Sequence, residues 1–63
     1  MELEKGKQYK VKEIKNVLIN TEVNNIVEVI SSNDKSTEFR DIKTFDWFVI
    51  DNNNINECLI EVN

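Results

Sequence analysis

From Phe45 to Val62 the chain alternates, breaks and alternates again. Phe45, Trp47 and Val49 interleave with Asp46, Phe48 and Ile50. Asp51-Asn52-Asn53-Asn54 interrupts the run, and Cys58, Ile60 and Val62 then interleave with Glu57, Leu59 and Glu61. Period-two alternation on both sides of a polar break predicts two antiparallel strands joined by a turn. That pattern commits the chain to a small all-β class. No catalytic or metal constellation accompanies it.

The rest of the sequence extends the pattern. Gly6 precedes Gln8-Tyr9-Lys10-Val11-Lys12, in which Tyr9 and Val11 share one face and the lysines the other. The phase slips at Glu13-Ile14, which predicts a bend or bulge. Val17-Leu18-Ile19 is a short apolar run, residues 20–25 read as a loop, and 25–30 as a second long strand. Ser31-Ser32-Asn33-Asp34-Lys35 is a turn by residue chemistry. Residues 36–44 fit two patterns. A strand from Ser36 to Arg40 would pair back on 25–30. A helix would be capped by Ser36, with Phe39, Ile42 and Phe45 on one face. The turn of hairpin length before this stretch favours the strand. A short 3₁₀ turn at residues 41–43 would reconcile the two.

The expectation is one domain over residues 1–63, all-β, an antiparallel meander of five to six strands. It would close into a small barrel or roll, because closure removes exposed edges. The alternative is α+β with one short helix at about 36–45. A chain this short buries only about 60% of its unfolded surface, and it lacks the usual staples. Its single cysteine allows no intrachain disulfide, and it has no histidine to serve as base or ligand. Either the core is efficient or self-association supplies the missing burial. Cys58 reads as a core hydrophobe, with no neighbouring cation to activate the thiol.

The opening Lys5-Gly6-Lys7-Gln8-Tyr9-Lys10-Val11 resembles the glycine-then-alternating first strand of the SH3-like small barrels. The run from Thr37 to Trp47 resembles short β proteins of bacteria and phages. The resemblance implies the small barrel already expected from the strand pattern. The aromatic ligand groove of the eukaryotic SH3 family is not evident, so no proline-binding residues carry over.

Charge narrows the partners. The net charge is -4. Residues 1–32 balance five Lys against five Glu, whereas residues 33–63 set three bases against seven acids. A nucleic-acid binder usually carries a basic excess. The cluster Lys5, Lys7, Lys10, Lys12 and Lys15 keeps a small-barrel nucleic-acid interface as the alternative function, with Lys7, Lys10, Lys12 and Lys15 as its contacts. The oxygen-rich stretch at 51–57 lacks the glycine and spacing of a Ca²⁺ loop, and no phosphate-binding glycine loop exists. No cofactor, metal, catalytic residue or small-molecule substrate is therefore expected. An acidic start at Glu2 and Glu4, and no apolar run of membrane-spanning length, predict a cytoplasmic protein without membrane association.

One feature exceeds the needs of a single core. The alternation assigns Tyr9, Val11, Val17, Ile19, Val27, Val29, Phe39, Phe45, Trp47, Val49, Cys58, Ile60 and Val62 to the interior. It leaves Leu18, Ile26, Ile30, Phe48, Ile50 and Leu59 on the other face. Sharp bending could bury this second set. An exposed apolar patch would instead serve another protein or a second copy, with Leu18, Ile30, Trp47, Phe48 and Leu59 as contacts. Ile, Lys and Asn fill 25 of 63 positions, and all three have AT-rich codons. The expected function is a non-catalytic interaction module from a phage or mobile element of an AT-rich genome. It would bind and modulate, or inhibit, a host or defence protein.

Overall fold

The computed structural model describes residues 2–14 and 21–62. They form a mostly antiparallel fold with β1 (Gln8–Val11), β2 (Ile26–Ser32), β3 (Ser36–Asp41), β4 (Trp47–Asp51) and β5 (Leu59–Glu61). A 3₁₀ turn at Asn52–Asn54 and a one-turn helix, α1 (Ile55–Cys58), connect β4 to β5. The strand order is β4-β3-β2-β1-β5. Among the described residues the sheet is open: β4 and β5 are its two edges, and no ladder joins them to close a barrel.

Residues 36–41 are strand, as hairpin pairing with β2 requires, and the only α-helical turn among the described residues lies at 55–58, not at 36–45. The expected hairpin between β4 and the last strand does not form. β5 pairs with β1 through Tyr9↔Glu61, Lys10↔Ile60 and Val11↔Leu59. The reason lies in residues 52–58. They do not make a tight turn but a helical crossing that buries Ile55 and Cys58 at spacing three and carries the chain to the opposite edge.

Each turn has a local cause. Gly6 takes φ +88°, where a Cβ is disfavoured. The Asn33 side-chain carbonyl accepts the N–H groups of Lys35 at 2.8 Å and Ser36 at 2.9 Å, which closes the β2–β3 turn. In β2 a bulge between Val29 and Ser31 inserts Ile30 against β3 and shifts the phase. Val27 and Val29 point inward before it, and Ser32 reaches Thr37 after it.

The core lines one face of the sheet. Val11, Val27, Val29, Phe39, Phe48, Ile50, Ile55, Cys58 and Leu59 are buried. Phe39 stacks on Phe48 with centroids 5.6 Å apart and meets Tyr9 edge-on at 5.7 Å. Buried polar groups are paired. The Leu3 N–H donates to Ser32 Oγ at 2.8 Å, and Thr37 Oγ1 donates to Asn52 Oδ1 at 2.6 Å. Ser32 and Thr37 lie 2.7 Å apart, and with the Thr37 proton on Asn52 it is Ser32 that donates. This relay ties the N-terminal segment, the β2–β3 turn and the 3₁₀ turn together.

Candidate protein-docking face

The β3–β4 turn sets which residues face outward. In β3, Thr37, Phe39 and Asp41 point inward. Four residues, 42–45, separate the paired positions Asp41 and Asp46, and Asp41 N–H donates to Asp46 O at 2.8 Å across their base. An even separation reverses the parity, so the register becomes Phe39↔Phe48 and Arg40↔Trp47. Phe48 and Ile50 therefore enter the core, and Trp47 and Val49 face solvent at 58% and 50% exposure. The simple alternation assigned this strand the opposite way.

Phe45 closes the turn. Its N–H donates to Asp41 O at 2.9 Å, its φ is +66°, and its ring is 70% exposed. Left-handed backbone is disfavoured for a bulky side chain, so this position needs support from around it. Asp41 supplies that support. Its buried carboxylate accepts Thr21 Oγ1–H at 2.6 Å, Asn25 Nδ2–H at 2.9 Å, Lys43 N–H at 2.8 Å and Thr44 N–H at 3.1 Å. Burial pushes the Asp41 pKa up. The hydrogen bonds from Thr21, Asn25 and the two backbone N–H groups outweigh that and bring it down to about 2. A cleft beside the turn is lined by Thr21, Glu22, Asn25, Lys43, Thr44 and Asp46.

The predicted contact residues are not brought together. Trp47 is exposed, but Phe48 and Leu59 are each 3% exposed and belong to the core. Both are corrections. For Phe48 the cause is the even separation of Asp41 and Asp46. For Leu59 it is the exit from α1, where helix and strand meet and Cys58 and Leu59 are buried in succession. Ile30 is half-buried at the β2 bulge, and Leu18 lies outside the described residues. Among the described residues the exposed large apolar side chains are instead Phe45, Trp47 and Val49 at the β4 edge with Ile42 in the turn, Ile60 and Val62 at the β5 edge, and Ile14 and Val23 in the segments between β1 and β2. The hairpin signal could have found the first group, because counting four residues between an inward Asp41 and its partner gives the parity.

Among the described residues, three of the lysines predicted as contacts have separate surroundings. Lys7 pairs with Glu61 at 2.9 Å. Lys12 Nζ donates to the Asn56 carbonyl at 3.0 Å. Lys10 stands opposite Ile26 and Ile60 on the outward face, and Lys15 lies outside the described residues. Tyr9 leans on Phe39 rather than offering a free stacking surface. A second hollow of about 280 Å³ lies between Leu3, Tyr9, Asp34, Asn53 and Ile55, near the lower limit for a small-ligand site. Among the described residues no three His, Cys, Asp or Glu side chains group to hold a metal. No helix there is long and apolar enough to cross a membrane.

Compared with protein families, with curated proteins and with solved structures, the chain has no match.

Proposed function

We propose that this chain is a non-catalytic protein-interaction module that docks through Phe45, Trp47 and Val49. One observation carries the reading. A chain of 63 residues completes its core with Phe39, Phe48 and Ile50 and still presents two large aromatic rings at a sheet edge. Aromatic side chains dominate the energetics of protein interfaces, and exposed apolar groups at an edge invite association unless a partner covers them. The role in binding and modulating a host or defence protein is supported by the surplus apolar surface on so small a chain, and the phage or mobile-element origin by a composition rich in Ile, Lys and Asn, whose codons are AT-rich.

The test is site-specific photo-crosslinking in the cells that encode the chain. A photoreactive phenylalanine analogue replaces Trp47 in one sample and Lys10 in another. The reading expects a discrete protein adduct from position 47, its loss on Val49→Lys, and none from position 10. Equal labelling from both positions, or none from either, would remove the docking function.

A further inference from the structure

We propose that the free edge of β4 receives an extended segment of another protein as a sixth strand. That segment carries apolar side chains at alternate positions and Lys or Arg at its flanks. This rests on the docking reading above and adds its mode and its chemistry.

The backbone is available. Asp41 N–H to Asp46 O at 2.8 Å and Asn52 N–H to Lys35 O at 2.9 Å bracket the β3–β4 ladder. Antiparallel pairing alternates the direction of backbone groups. Asp46, Phe48, Ile50 and Asn52 thus bond toward β3, and Trp47, Val49 and Asp51 direct their N–H and C=O groups away from it. No other strand pairs with β4 among the described residues.

The edge also lacks the usual protection. Natural edge strands are blunted by lysine, proline, bulges or shortness. β4 has five residues, holds an unbroken register with β3, and contains neither lysine nor proline. The opposite edge differs: β5 has three residues, and its Glu61 is engaged by Lys7. At the entry to β4, Phe45 is held in left-handed backbone with its ring in solvent. Such strain in an exposed position points to use.

Charge selects the occupant. Exposed Asp46 and Asp51 bracket the edge strand, which carries no base of its own. The bases near it belong to β3 and its flanking turns: Arg40 opposite Trp47, Lys35 just before β3, and Lys43 in the turn beside Asp46. A segment with basic flanks complements the two acids. A second copy would bring its own Asp46 and Asp51 against the same two acids. Alternate apolar residues on the incoming strand would lie beside Trp47 and Val49, while main-chain hydrogen bonds supply affinity.

The experiment selects random dodecapeptides displayed on yeast against the full chain and synthesises the most enriched one. Enrichment should favour alternating apolar residues with flanking Lys or Arg. Binding of that peptide should slow amide exchange at Trp47 and Val49. N-methylation of its alternate residues should abolish binding, and Val49→Pro and Val49→Lys should each weaken it at least about tenfold. Proline is tolerated where an edge N–H faces outward, and Val49→Lys covers the case in which Val49→Pro does not fold. Enrichment of acidic or helically patterned peptides, binding without amide protection, or no enrichment overturns the proposal. So does a dimer in sedimentation that protects the same two amides, because it assigns the edge to a second copy. If crosslinking at position 47 persists in any of these cases, only the added-strand mode falls and the docking function stands.

Discussion

The Asp41 carbonyl accepts the Phe45 N–H at 2.9 Å, so one of the most deeply buried acids in the chain fixes the position of its most exposed aromatic. The same residue works twice. Its backbone closes the turn from outside, and its carboxylate gathers the Lys43 and Thr44 N–H groups from inside. Thr21 and Asn25 anchor that carboxylate to the loop before β2. Docking surface and fold stability are thereby coupled through one side chain.

That coupling gives a pH dependence. The Asp41 pKa falls from 3.8 to about 2 on folding. Its carboxylate therefore contributes stability that is fully present above about pH 3.8 and is lost as pH falls through about 2. Asp41→Asn places an amide donor against the Asn25 donor and should lower stability by about 1–3 kcal/mol at neutral pH. Urea unfolding at a series of pH values checks both points. The variant should lose less stability than wild type between pH 3.8 and 2. Parallel curves for the two proteins would show that Asp41 is not the acid that matters.

Phe45 should be a position where folding and function disagree. A left-handed conformation is unfavourable by about 1–2 kcal/mol for a residue with a Cβ, and the exposed ring returns little packing. Phe45→Gly removes the strain but gains unfolded-state freedom, a loss of about 0.5–1 kcal/mol. The net expectation is a small rise in the denaturation midpoint, no more than about 1 kcal/mol. Capture at position 47 should weaken in the same variant. A fall in stability would mean that the ring packs against the fold in solution.

The distance between pattern and structure lies in parity. Period-two reading located β1, β2, β4 and β5, because alternating burial is a local signal, whereas residues 36–41 also fit a helix and are placed as strand by the hairpin-length turn before them. Alternation could not fix which phase of β4 faces inward, since that depends on how many residues separate the paired positions before it. Residues 42–45 make that number even, and one count separates a buried Phe48 from a buried Trp47. The Asn-rich break at 52–54 misled differently. Asparagine suits tight turns, yet here it starts a helical crossing whose apolar residues, Ile55 and Cys58, are too few for periodicity to register. The pairing of β5 with β1 is a long-range choice that no local pattern encodes. Asp41 escaped notice because a buried acid and an exposed one are the same letter in a turn.

Neighbouring aromatics should respond oppositely to charge. Trp47→Lys places the ammonium in solvent and should change stability by no more than about 0.5 kcal/mol. Phe48→Lys puts a cation between Phe39 and the core and should abolish folding, since burying an unpaired charge removes more stability than so small a domain holds. Far-ultraviolet circular dichroism separates the outcomes. In wild type the single tryptophan should emit like a solvated indole, matching its 58% exposure. A folded Phe48→Lys protein would reverse the inward assignment of β4.

The polar relay through Thr37 makes the last prediction. Thr37 is 1% exposed and joins Ser32 to Asn52 at 2.7 and 2.6 Å. Asn52 continues it by donating Nδ2–H to the Asn33 carbonyl at 2.8 Å. Thr37→Val keeps the shape but leaves the Ser32 proton and the Asn52 carbonyl without this partner. The expected loss is about 1–2 kcal/mol. Ser32→Ala breaks the same chain one link earlier and frees the Leu3 N–H. Because each substitution disrupts the other's hydrogen bond, the double variant should lose less than the sum of the singles, with a coupling of at least about 0.5 kcal/mol. Denaturant unfolding of the four proteins measures it. Additive losses would mean that the hydroxyls act as separate contacts, and that the N-terminal segment is not linked to the 3₁₀ turn through Thr37.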